Sequence, residues 1–152
     1  MNNALWNKLL NENTLVTEGI SPKMLRSYLT ALLDNTDYLG DSISDAAYEP
    51  RNIDKKSINQ AKKDLNKFFT LAKDYIQPHI GEERMAYDFG VHRTINSSGL
   101  DDSRIYKYAH ELTDIADKFG RIYPYVDEPK RGSGGPVRID TKYHSPKGRF
   151  DR

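Results

Sequence analysis

The chain has 152 residues, 37% hydrophobic and 30% charged, with ten tyrosines and no cysteine. That length and composition suit one packed core and exclude full disorder, a disulfide framework and a thiolate metal centre. The net charge of +1 conceals an asymmetry: residues 129–152 hold seven Lys/Arg against two Asp, a net +5, and residues 1–128 hold 16 against 20, a net −4.

No run of about 18 apolar residues is present to span a bilayer, and the start Met1-Asn2-Asn3-Ala4-Leu5-Trp6 lacks the basic and apolar regions of a secretory leader. The expectation is a chain of the cytoplasm, or of a particle assembled there, with no membrane contact. The sequon Asn96-Ser97-Ser98 carries no weight without a secretory route.

In chain order, Leu5, Trp6, Leu9 and Leu10 share one helical face behind asparagine capping candidates, which predicts a short helix over 3–10. Ser21-Pro22 is a stronger start signal, because serine can accept from an orphan backbone N–H and proline has no donor to lose in the first turn. The helix predicted from there to about Leu33 carries Met24, Leu25, Tyr28, Leu29, Leu32 and Leu33 as a wide apolar stripe.

Residues 34–52 are acidic and broken by Gly40 and Pro50, with a short helix expected around 42–48. They read as a connector or an acidic docking surface. As an EF-hand the stretch fails, since Gly40 at the sixth loop position puts Leu39 and Ala46 where ligands are required.

The longest predicted helix covers 54–76, where Ile58, Ala61, Leu65, Phe68, Phe69, Ala72, Tyr75 and Ile76 recur with helical period before Pro78. Its opposite face carries Lys55, Lys56, Lys62, Lys63, Asp64, Lys67 and Lys73. Residues 77–100, punctuated by Gly81, Gly90 and Gly99, read as loops with one short strand near 85–89. A third helix is predicted from Asp101 or Asp102, with Ile105, Tyr108, Ala109, Leu112, Ala116 and Phe119 on one face and Gly120 as its left-handed terminator.

The Gly/Pro-rich stretch 128–136 reads as a hinge. Beyond it Val137, Ile139, Thr141 and Tyr143 alternate with Arg138, Asp140, Lys142 and His144, the pattern of a strand over 137–143. The expected fold is therefore mainly α: a compact helical domain of three main helices with minor β and an extended C-terminal arm. The body spans 1–126 and the basic tail 127–152.

Local catalytic signatures are weak. His92-Arg93-Thr94 resembles the H-x-T element of two-histidine phosphoesterases, but that chemistry needs two such elements. His110 and His144 are followed by Glu111-Leu112 and Ser145-Pro146, without a hydroxyl at the second position. His79 with Glu82 and Glu83 lacks dense metal-ligand spacing, and Gly132, Gly134 and Gly135 lack the context of a phosphate loop. No serine sits in a G-x-S-x-G turn. No cofactor is expected.

The tail carries the main functional expectation. Lys130, Arg131, Arg138, Lys142, Lys147 and Arg149 supply attraction, while Tyr143 and Phe150 supply rings that gain area on burial. The leading expectation is a non-enzymatic structural or assembly subunit, of the kind found in a phage or virus particle. It would dock a protein partner, or a second copy of itself, through this arm. The alternating segment could also add a strand to a neighbour's sheet. A nucleic-acid-binding accessory protein is the alternative, with the basic residues on phosphates and Tyr143 or Phe150 on bases. A phosphate-ester enzyme using His92 stands third.

Overall fold

The structure is a computed structural model that describes residues 20–38, 40–94, 99–128 and 134–144. The helix expected over 3–10 and the tail residues Lys130, Arg131, Lys147, Arg149 and Phe150 lie outside the described residues.

Helix α1 spans Pro22–Asp34. Ser21 Oγ accepts from Met24 N–H at 3.1 Å, and Pro22 occupies the first turn. The expected stripe is buried throughout: Met24, Leu25, Tyr28, Leu29, Leu32 and Leu33 are each at most 2% exposed. The helix stops where Asn35 Nδ2 and Thr36 Oγ1 donate back to the carbonyls of Ala31 and Leu32.

Where a short helix was expected around 42–48, the chain instead makes a two-stranded hairpin followed by turns. Strand β1 (Asp37–Tyr38) pairs antiparallel with β2 (Asp41–Ser42). Gly40 turns the corner at φ +98°, a conformation glycine adopts without a Cβ clash. Ser42 Oγ then accepts from Asp45 N–H, a side-chain bond that competes with helix formation.

A 3-10 turn at Pro50–Asn52 leads into α2, Lys55–Leu71, whose cap is Asp54 accepting from Ser57 N–H at 3.1 Å. The periodic face buries Ile58, Ala61, Leu65, Phe68 and Phe69 as the sequence predicts. The last predicted turns form a separate 3-10 segment, Lys73–Tyr75.

The expected loop with a strand near 85–89 is a helix instead. Helix α3 spans Glu82–Thr94 and buries Met85, Ala86, Phe89, Gly90, His92, Arg93 and Thr94. It packs along α1, and Phe89 stacks between Tyr28 and Phe68 at centroid distances of 5.4 and 3.9 Å. Helix α4 is shorter than expected, Ala109–Asp117, because Asp102 caps a turn at 103–105 before it. Gly120 terminates this region at φ +74°. The described residues thus contain four α-helices where three main ones were expected.

The chain closes with strands β3, Tyr123–Val126, and β4, Val137–Asp140, paired antiparallel with Tyr123 opposite Asp140 and Val126 opposite Val137. The expected boundary at 126 therefore falls between the two strands of one ribbon, and Val137 is fully buried in the core. The outer edge of β4 bonds to the entry of α2: Asp54 N–H donates to Val137 O at 2.9 Å, and Ile139 N–H donates to Ser57 Oγ at 3.0 Å. On β3, Asp127 N–H bonds to Pro136 O, so in this register Pro124 and Val126 turn their backbone away from β4. The Val126 carbonyl accepts from Glu128 N–H.

Candidate functional site

The ribbon is positioned from both sides. Arg138, on β4, donates from Nε to Asp127 at 2.6 Å and from Nη1 to Asp54 at 2.7 Å, tying the strand to the cap of α2. Two carboxylates hold its guanidinium above its ordinary pKa, the Asp127 hydrogen bond first, with desolvation working the other way. At the start of the connection between the strands, the buried Glu128 carboxylate accepts from Tyr38 Oη at 2.7 Å, Tyr48 Oη at 3.2 Å and Gly134 N–H at 3.0 Å. Burial, then the bond to Glu128, pushes the Tyr38 hydroxyl well above its ordinary pKa.

Rings line the ribbon. His144 stacks on Tyr125 at 3.9 Å and 7°, and Tyr143 meets Tyr123 edge-on at 5.9 Å. His144 Nε2 lies 2.7 Å from Asp140 Oδ2, and this bond, followed by that from Thr141 N–H, holds the Asp140 carboxyl below the usual range. Arg121 lies 5.2 Å above the Tyr123 ring and donates to Thr94 O. A groove of about 260 Å³ runs between these rings and residues 35–38, and Tyr143, 68% exposed, stands at its rim.

A larger cleft of about 590 Å³ opens on the α2 side of the ribbon, with Tyr28, Ser57, Asp64, Arg93, Arg138 and Asp140 in its wall. Two pairs of its charges face one another, Arg93 with Asp64 and Arg138 with Asp54. Arg93 Nη1 bonds Asp64 at 2.8 Å, and Arg93 Nε and Nη2 take the carbonyls of Gly120 and Phe119. Ser57 Oγ is occupied by Ile139 N–H.

Of the expected docking residues, Arg138, Lys142 and Tyr143 are described. All three follow one another on β4 and its continuation, and Lys142 and Tyr143 are exposed while Arg138 is half-buried and doubly paired. Strand addition to a neighbour's sheet loses its basis, because Val137–Asp140 adds to its own chain and bonds its other edge to α2.

His92 is not in a loop: it lies in the last turn of α3, 6% exposed, with Nε2 2.8 Å from Asp117 Oδ1. Thr94 donates its hydroxyl back to Gly90 O at 2.8 Å, so it is turned into its own helix and is not free to hold a phosphate. Gly134 N–H is taken by Glu128. Among the described residues no group of three or more His, Asp and Glu is placed to hold a metal, and no helix is long and apolar enough to cross a membrane.

Sequence reasoning passed over Tyr123, Tyr125 and His144 as site residues. The signal was present in the alternation Ile122-Tyr123-Pro124-Tyr125-Val126, which has strand period but carries a proline that argues against a strand. Compared with known protein families, curated proteins and solved structures, the chain matches none.

Proposed function

We propose that this chain is a non-enzymatic assembly subunit that docks a protein surface through the ring-bearing side of its C-terminal ribbon and the basic segment that follows. The observation that carries the reading is Tyr143, 68% exposed and braced edge-on against Tyr123. A large ring held in place loses little freedom when a partner covers it, and exposed tyrosines of this kind are enriched among residues that dominate protein interfaces. Lys142 beside it supplies charge at the rim.

A protein partner fits better than nucleic acid at this surface. Arg138 commits Nε and Nη1 to Asp127 and Asp54, and Asp140 places a carboxylate within the same ring cluster. Among the described residues of β3 and β4, the one basic side chain, Arg138, already faces two carboxylates, which weakens its pull on a phosphate.

The test is the solution mass of the intact chain and of Tyr143→Ala, by size exclusion with light scattering, alone and after capture of partners at moderate salt. The substitution removes a mostly exposed ring, so the fold and the melting temperature are expected to stay. Tyr143→Ala is expected to lose the higher-mass species formed by the intact chain. A mass distribution unchanged by the substitution overturns the reading.

A further inference from the structure

Helix α2 turns a stripe of one charge sign to solvent. Its exposed residues include Lys56, Gln60, Lys63 and Lys67, which recur at intervals of three and four and therefore lie along one line. The line ends at Lys67: the positions that would continue it are Thr70, Leu71 and the exposed Asp74, so the stripe is Lys56, Lys63 and Lys67. None of Lys56, Lys63 and Lys67 has an ion pair with the described residues.

The only acidic side chain of α2 borders the stripe at Gln60 but is committed to bonds within the fold. Asp64 Oδ2 is bonded to the buried Arg93 at 2.8 Å, and its Oδ1 accepts from Gln60. Neighbouring carboxylates are also engaged: Asp54 bonds Arg138, Asp117 faces His92, and Asp114 lies 3.3 Å from His110. Lys63 and Lys67 are like charges four residues apart, an arrangement that works against an isolated helix.

We propose that the Lys56–Lys63–Lys67 stripe of α2 is a binding surface for the phosphate backbone of nucleic acid, without base readout. The stripe is about 16 Å long at 1.5 Å per residue, enough to follow several phosphates. Between its lysines stands only Gln60, so it lacks the aromatic and arginine anchors of a protein hot spot. Exposed lysine–carboxylate pairs across a protein interface add little. A polyphosphate, by contrast, releases condensed counterions on binding, which a row of point charges exploits directly.

The surface lies on a different element from the ribbon, so the two readings stand or fall separately. The experiment is titration of the full chain with a mixed-sequence DNA duplex of about 30 base pairs across a salt series, with the slope of log affinity against log salt as readout. In Lys56→Gln/Lys63→Gln/Lys67→Gln the slope is expected to flatten by about 2.7, and affinity at about 50 mM salt to fall at least tenfold. The melting temperature is expected to hold, because all three side chains are exposed. Replacing the same three lysines by arginine is expected to retain both slope and affinity, and Tyr143→Ala is expected to leave them unchanged. No binding by the intact chain at low salt, or a slope and affinity unaltered in the glutamine variant, overturns the proposal. Polyglutamate of equal charge competing as well as DNA also overturns it, since the partner is then an acidic protein surface.

Discussion

Arg93 holds four parts of the molecule through one guanidinium. Its Nη1 reaches Tyr28 Oη on α1 and Asp64 on α2, while Nε and Nη2 take the last carbonyls after α4. Desolvation works to neutralise it, but Tyr28 and Asp64 outweigh this and hold the guanidinium above its ordinary pKa. Arg93→Met leaves a fully buried tyrosine hydroxyl and a partly buried carboxylate without their partner. The expected loss of stability is about 3–5 kcal/mol, toward the lower figure because Asp64 retains some access to water. Arg93→Lys, which keeps the charge but not the fork of donors, is expected to fall between, and urea denaturation of the three proteins checks the order. Nothing in the sequence marks this residue, because its partners lie 65 and 29 positions away.

At the level of elements, α1 and α2 were legible and α3 was not. The first two carry apolar stripes behind side-chain caps, Ser21 and Asp54, so pattern and start signal agree. In α3 the buried positions 85, 86, 89, 90 and 93 have helical spacing, but Gly90 and Arg93 occupy two of them. Counted by hydropathy, the face disappears. Gly90 is there for clearance: a Cβ would lie 2.8 Å from Ala31 Cβ and 2.9 Å from Tyr28 O. Gly90→Ala gains about 1 kcal/mol in helix propensity and loses about 1–3 kcal/mol by forcing α1 and α3 apart. A net destabilisation is expected, seen as a melting temperature lower by a few degrees. The ribbon was half legible. The period of 137–143 pointed to a strand, of which 137–140 forms, but its pairing with 123–126 is a tertiary fact that local pattern does not contain.

At the scale of the whole molecule, six tyrosines whose protons are held more tightly in the fold than in the unfolded chain work against stability at alkaline pH. Burial is the first cause of raised pKa values at Tyr28, Tyr38, Tyr48, Tyr87, Tyr106 and Tyr125, reinforced by carboxylates such as Glu128 at Tyr38 and Asp88 at Tyr106. The folded chain holds these protons more tightly than the unfolded chain, whose tyrosines titrate near about 10. The corresponding stability is fully present below that pH and is lost as pH rises above it. Melting temperatures measured from pH 8 to about 11 are expected to be flat and then to fall, with tyrosinate absorbance rising together with unfolding. Within residues 1–128, whose net charge is negative, the two signs are also set apart in space. Asp37 and Asp41 are exposed on the β1–β2 hairpin and Asp45 in the turn after it, whereas Lys56, Lys63 and Lys67 line α2.

The backbone of β3 has a consequence for the behaviour of the molecule at high concentration. A two-stranded ribbon ordinarily offers two open edges, each a template on which another chain can grow a sheet. Here Asp54 and Ser57 occupy one edge. On the other, Pro124 has no N–H to offer and the Val126 carbonyl is already accepting from Glu128. The β3–β4 ribbon thus offers a second chain no complete row of backbone groups on either edge, so an association of the proposed kind would run through its side chains and saturate when those are covered.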